Sequence, residues 1–424
     1  MSYPKPSVHV NSSGQDVWSL INGAAADTQA ETGKPVVNLG QGFFSYSPPK
    51  FALDALVRST ESPMLNQYSP TRGRVELLKQ LADVYSPNFG RQIDPAKEIV
   101  VTAGANEGIL SSFFAFLNPG DEAIVFEPFF DQYISNIQMA GGVVKYVPIH
   151  PPKDADEKIT SGNDWKIDLD EFERAITPRT KIVVLNTPHN PIGKVFDREE
   201  LLAIGNICVK HNIVIVSDEV YDRLYYSEFT RLATLSQDIY DRTLTVGSAG
   251  KTFACTGWRV GWVIGPEHLI KYVAAANTRI VFSVNTPCQS AVAASFGEAE
   301  KHDYYNKTID MFKKKYKILT GVFDELGLPY STAEGGYFLL VNFSRVQVPK
   351  DFTLPESVLS RPRDFHLAIW LIKELGVVAI PPTEFTTSET APLLENWLRF
   401  AVCKDDEILE DAAQRLRGLK KFIQ

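Results

Sequence analysis

Short β-branched apolar runs recur through the middle of the chain, at 99–102, 123–126, 143–147, 181–185, 213–217, 244–247 and 260–264. The stretches between them show apolar positions at helical spacing. Seven strands interleaved with helices predict an α/β fold, a mostly parallel seven-stranded sheet covered on both faces. Ahead of it, 16–32 reads as an Ala-rich helix, and a strand from 36 runs into a Gly/Pro turn. Helices are predicted near 50–60 and 74–85. After about 287 the pattern changes. One long charged helix over 289–326 is expected, then strands at 337–343, 377–380 and 397–402, with helices over 364–375 and 405–422. This is the pattern of a smaller α+β domain. The chain thus divides into an N-terminal arm joining the small domain (1–48), a large domain (49–286) and a small C-terminal domain (287–424). Two polar stretches interrupt the pattern: 151–165, read as a surface insertion or lid, and the Pro-containing loop 345–363.

Composition narrows the possibilities. The 424 residues are 44% hydrophobic and 22% charged, ordinary for a globular protein with a large core. The net charge of −8 and the lack of a Lys/Arg stripe argue against a nucleic-acid groove. The four cysteines, Cys208, Cys255, Cys288 and Cys403, form no C-x-x-C pair, so neither a disulfide framework nor a metal site is expected. No apolar run approaches the roughly 18 residues of a membrane span. Residues 1–15 lack an apolar core and any Arg, so neither a secretory nor a clear mitochondrial presequence is predicted; the cytoplasm is the default compartment, with the mitochondrion as the alternative.

Candidate chemistry gathers at predicted strand ends, where open α/β sheets bind ligands. In Ser248-Ala-Gly-Lys251, a lysine sits in a small-residue turn, with Arg259 eight positions on. Such a lysine is either a solvated charge or, in a cramped apolar pocket, an amine that loses its proton readily and attacks carbonyls. Thr102-Ala-Gly104-Ala105-Asn106 opens a helix predicted over 107–117; it is either a plain turn or a phosphate site built from free N–H groups. Phe130 follows a strand, as core or as a ring-stacking face. Asn190 precedes a proline in a turn, as a structural residue or a donor. Asp218 ends an apolar strand and would be an expensive buried charge without a cationic partner, which a protonated pyridine nitrogen would supply; Tyr221 follows within reach of the same ring. Neither G-x-G-x-x-G nor a Walker sequence occurs. Ser248-x-x-Lys251 also fits a Ser–Lys acyl-enzyme, but the companion S-D-N and K-T-G strings are missing.

Taken together, the chain resembles the class I/II, fold-type I aminotransferases that use pyridoxal 5′-phosphate, and most closely their kynurenine aminotransferase/glutamine transaminase K group. The resemblance is carried by Asn38-Leu-Gly-Gln-Gly-Phe43, Asn66-Gln-Tyr68, Glu127-Pro-Phe-Phe-Asp131, Asn186-Thr-Pro-His-Asn-Pro-Ile-Gly193, Ser217-Asp-Glu-Val-Tyr221, the Lys251 stretch and Leu398-Arg-Phe-Ala401, and spans residues 16–424. It implies that Lys251 attaches to the cofactor and shuttles the substrate proton, with Asp218 pairing the pyridine nitrogen. Asn190 and Tyr221 would bond the ring hydroxyl, and Phe130 would stack on the ring. Ser248, Arg259 and the amides of Ala105 and Asn106 would hold the phosphate, with Tyr68 reaching it from the neighbouring subunit of a homodimer. Arg399 would clamp the substrate α-carboxylate with help from Asn190 and the Gly42 backbone, and Trp18 would close over the side chain. The implied activity moves the amino group of kynurenine, or of another aromatic or neutral amino acid (glutamine, methionine), to a 2-oxo acid. Kynurenine would give kynurenic acid, a step of tryptophan catabolism. β-Elimination from cysteine conjugates is the alternative on the same cofactor. Two departures bear on side-chain range: Asn106 stands where the group's animal members carry an aromatic, and Val284-Asn285 where they carry an aromatic and a histidine.

Overall fold

The computed structural model describes Ser7 and residues 16–424; the polar arm expected over 1–15 lies, apart from Ser7, outside the described residues. In chain order the strands are β1 (Val37–Asn38), β2 (Ile99–Thr102), β3 (Glu122–Glu127), β4 (Val143–His150), β5 (Thr160–Ser161), β6 (Lys166–Ile167) and β7 (Thr180–Asn186). They continue as β8 (Val214–Asp218), β9 (Thr243–Ser248), β10 (Gly261–Ile264), β11 (Tyr330–Thr332), β12 (Phe338–Asn342), β13 (Val377–Val378) and β14 (Trp397–Ala401). The large sheet runs β2-β10-β9-β8-β7-β3-β4-β6. All seven strands expected from the apolar runs are in it, and the two-residue β6 adds an eighth along one edge. Pairing from β9 through β8, β7 and β3 to β4 is parallel. Strands β2 and β3 are buried at every position, as a sheet covered on both faces requires.

Two features of this sheet place the site. Asn186 at the end of β7 lies in register with Asp218 at the end of β8, so their side chains emerge at one carboxyl edge. Strand β10 runs antiparallel to both β9 and β2, pairing Gly261 with Ser248 on one side and Thr102 on the other. Residues 104–105 and 248–259, far apart in sequence, thereby meet across Gly261. A Cβ on Gly261 would sit 2.6 Å from the Ala105 nitrogen, so this approach requires glycine.

The structure corrects two expectations. The region 289–326 is two helices, Thr286–Ala299 and Tyr304–Leu326, broken at a polar link where Asp303 takes φ +51°. The reason is packing. The first, rich in small apolar residues, lies against helices Lys50–Glu61 and Val75–Phe89, while the second lies against Asp406–Leu416; one straight helix could not serve both surfaces. The stretch 151–165 is neither insertion nor lid. Its β5 pairs in parallel with β11 as the edge of the small β14-β12-β11-β5 sheet. Trp165 is fully buried, edge-on to Trp397 at 5.7 Å. Polar composition hid this because the segment is held mainly by polar contacts: Asn342 Nδ2 donates to Asp156 at 2.5 Å, and Lys194 Nζ donates to the Asn163 carbonyl at 3.1 Å.

The C-terminal helix ends at Leu416 and tightens to a 3₁₀ turn over Arg417–Phe422. The first helix begins where its cap predicts: the Asp16 side chain accepts from the Ser19 N–H at 2.9 Å. No helix among the described residues is long and apolar enough to cross a membrane.

Candidate active site

Between the carboxyl edge of the large sheet and β12 and β14 lies a cavity of about 290 Å³. Its walls include Trp18, Gly42, Ala105, Asn106, Phe130, Asn190, Asp218, Tyr221, Ser248, Lys251, Arg259 and Arg399. Of the cofactor- and substrate-binding residues the resemblance implies, Tyr68 is elsewhere: it is 85% exposed, edge-on to the exposed Phe282 at 5.6 Å. Val284 and Asn285, expected to bear on side-chain range, do not line this cavity either.

Lys251 is the third residue of the single helical turn Ala249–Thr252 that follows β9. Its Nζ donates to the Tyr337 hydroxyl at 2.6 Å, and that hydroxyl donates to the Gly42 carbonyl at 2.8 Å. Burial lowers the amine's pKa to about 8, although Asp218 acts against this, so the neutral form is far more accessible than for a solvated lysine. Asp218 is buried, and both of its hydrogen-bond donors are neutral: the Tyr133 hydroxyl and, at 3.3 Å, the Val220 N–H. Burial raises its pKa to about 6; Tyr133, Val220 and Lys251 oppose the rise. The protein itself thus leaves this carboxylate without the cationic partner its burial calls for.

At the opposite end, helix Ala105–Phe116 starts at Gly104, which has φ +84° and no side chain to cap the first-turn N–H groups. The Arg259 guanidinium lies against Gly104, where a Cβ would stand 2.5 Å from its Nη2. Arg259 itself takes φ +54° and donates to the Thr256 carbonyl at 3.1 Å. An uncapped helix start, a guanidinium and the Ser248 hydroxyl make an anion site. Asn106 is oriented by Asn136, whose Nδ2 donates to its Oδ1 at 2.8 Å.

Arg399, on β14, is 2% exposed. It donates to Asn190 Oδ1 at 3.2 Å and to the Gly40 carbonyl at 2.9 Å, while its Nε has no partner. Its guanidinium carbon lies 4.3 Å from the Phe338 ring centroid, 5.0 Å from Phe385 and 5.7 Å from Trp18. Burial lowers its pKa to about 10. A buried cation held only by neutral acceptors and aromatic faces is a ready receptor for a carboxylate. Trp18 closes the rim, its Nε1 donating to Asp131 at 3.3 Å.

Sequence reasoning missed several wall residues. Asn186 pins two of the others: its Nδ2 donates to the Asp218 carbonyl at 2.9 Å, and its Oδ1 accepts from the Asn190 N–H at 2.8 Å. Asn186 opens a string already singled out and Tyr133 lies two residues beyond another, so their polarity beside apolar strands was a usable signal. Phe338 and Phe385, which line the cavity, and Tyr337, which meets Lys251 from behind it, were not distinguishable from core aromatics in the sequence.

Comparisons with known proteins identify the family. The family described as aminotransferase class I and II matches residues 34–416. The chain is 54% identical to the probable kynurenine–oxoglutarate transaminase BNA3 of Saccharomyces cerevisiae, over 100% of this chain and 97% of that protein. It is 39% identical to the kynurenine–oxoglutarate transaminase of Dictyostelium discoideum, over 98% and 97%. The crystal structure of Bna3p from Saccharomyces cerevisiae superposes with a TM-score of 0.96 at 55% identity, covering 99% of this chain and 100% of that one.

Proposed function

The chain belongs to the class I and II aminotransferases, fold-type I enzymes that depend on pyridoxal 5′-phosphate, and from that premise we propose that it moves the amino group of kynurenine, or of a similar aromatic or neutral amino acid, to a 2-oxo acid. The donor set fits the cofactor. A buried carboxylate with only neutral donors suits a protonated pyridine, and the uncapped helix start beside Arg259 suits a phosphate. The orphaned Arg399 Nε leaves room for one more acceptor, a substrate carboxylate. When bound, pyridoxal 5′-phosphate supplies an aldehyde that takes the substrate nitrogen and a ring that accepts the electron pair left at Cα.

The chain's own residues do the rest. Lys251 Nζ, in its neutral form, would take the proton from the substrate Cα and deliver it to C4′, the cofactor's aldehyde carbon, and would run the same transfer in reverse with the 2-oxo acid. Asp218 keeps the ring nitrogen protonated, with Tyr133 orienting its carboxylate. Asn190 and Tyr221 hold the ring hydroxyl, Phe130 stacks on the ring, and Ser248, Arg259 and the Ala105 and Asn106 amides hold the phosphate. Arg399 grips the α-carboxylate, with Asn190 and the Gly42 backbone alongside, and Trp18 covers the side chain. Aromatic walls from Trp18, Phe338 and Phe385 favour a flat apolar side chain such as that of kynurenine. The printed names of the yeast and Dictyostelium relatives point to the same substrate.

The enzyme acts as a homodimer in which Tyr68 completes the partner's phosphate site. Its exposure on an apolar face with Phe282 supports this reading. The chain divides into an arm over 1–48, a large domain over 49–286 and a small domain over 287–424; β5, from within 49–286, nevertheless pairs with the small sheet, and helix Thr286–Ala299 packs on helices of the large domain. The setting is the cytoplasm, in tryptophan breakdown. The observation that carries the proposal is Arg399: a buried guanidinium awaiting a carboxylate across one cavity from Lys251. Incubating the purified protein with pyridoxal 5′-phosphate, kynurenine and a panel of 2-oxo acids should yield kynurenic acid only when an oxo acid is present. Loss of oxo-acid dependence, or full turnover by Lys251→Ala, would overturn it.

A further inference from the structure

Tyr337 has no part in the roles above, yet it makes the one side-chain hydrogen bond recorded for Lys251 among the described residues. It stands immediately before β12, fully buried, with its ring 5.1 Å from Tyr221 and edge-on to it, and stacked on Phe312 at 6.1 Å. A phenol has one proton to give. Here it goes to the Gly42 carbonyl at 2.8 Å, so the oxygen can only accept from Lys251 Nζ, 2.6 Å away. Rings on both sides bar Tyr337 from another rotamer, and the carbonyl it engages belongs to a backbone lining the cavity.

We propose that Tyr337 is the positioning residue for Lys251, receiving the lysine amine whenever that amine is not bonded to the cofactor and holding it at the cavity wall. This rests on Lys251 being the catalytic lysine. The arrangement has two consequences. The long lysine side chain, which would otherwise sample many rotamers, is kept on the cavity side ready for proton transfer. An oxygen that can only accept favours the ammonium over the free amine, which offsets part of the effect of burial.

The groups facing Lys251 are Tyr337, Tyr221, Asp218, Arg259, Arg399 and the buried Cys403. Of these, Tyr337 can be changed by one atom without touching a charge. The test is competitive labelling of the Lys251 amine in the cofactor-free protein with acetic anhydride across pH, read by mass spectrometry. Tyr337→Phe should lower the midpoint by about one pH unit, a roughly tenfold loss of proton affinity. In the holoenzyme, kcat should fall by more than KM rises.

Tyr226→Phe is the control. It removes a comparable hydroxyl, bonded to the Gly336 carbonyl at 2.7 Å, with no contact to Lys251, and should leave the midpoint in place. An unchanged midpoint in Tyr337→Phe, or an equal shift in Tyr226→Phe, overturns the proposal. Should Tyr337→Phe fail to fold, 3-fluorotyrosine at 337 keeps the hydroxyl as a poorer acceptor and must move the midpoint the same way by less; no movement is likewise fatal. Labelling reads the lysine and its neighbour alone, so failure here is separable from failure of the transamination assay.

Discussion

Arg399 shows how much one side chain can owe to its surroundings. Its cost of burial is met by two carbonyl-type acceptors and three aromatic rings, none of them charged. Arg399→Lys keeps the charge but loses the planar fork, so KM for amino acids should rise by about a hundredfold with a smaller change in kcat, as steady-state kinetics would reveal. Asp364 makes a different point. It is fully buried at the start of helix Arg363–Leu375 and accepts from the Thr383 N–H and hydroxyl, both at 2.8 Å, fastening the turn that carries Phe385. Burial raises its pKa to about 7, against about 3.9 unfolded. The folded state therefore holds a proton that the unfolded chain releases, and this contribution to stability is lost as pH rises from about 4 to about 7. Urea midpoints of wild type and Asp364→Asn, followed from pH 5 to 8, should show a shallower decline in the variant; parallel curves would discard this linkage.

The polar stretch 151–165 teaches more than the regular strands do. Its apolar anchors are few, yet Trp165 packs into the layer between the two sheets against Trp397. Trp165→Ala should destabilise the protein by about 3–5 kcal/mol in denaturant titration, while the folded fraction keeps near-normal kcat/KM, since Trp165 does not line the cavity. A normal midpoint would mean that the segment is only draped on the surface. Apolar runs made the sheet strands legible because a strand buried on both faces has to be nearly all apolar. The break at 300–303 was not legible. The helical pattern continues on either side, and the reason to stop is a change of packing surface that no local pattern records.

Large apolar side chains are exposed in the segments around Tyr68, Met64 at 75% and Val57 at 57%, and Phe282, 55% exposed, lies against Tyr68 itself. Patches of this kind mark association surfaces. Sedimentation should give a dimer for the wild type, and Phe282→Asp should shift it toward monomer with loss of activity, because Tyr68 could no longer reach a partner's site. A monomeric, fully active wild type would exclude shared sites. Lys251, Asp218 and Asn190 could be singled out from the chain alone, because each is a polar residue at or just past the end of an apolar strand; Arg399 lies in mid-strand and was reached only through the family resemblance. Their chemical types restrict what they can hold. Which partners they meet could not be read so: β10 had to turn antiparallel to bring Arg259 to Gly104, and the small domain had to dock before Tyr337 could meet Lys251. Strand periodicity is a local property of neighbouring residues, whereas those meetings depend on sheet order and domain packing, which arise from contacts between residues far apart in the chain.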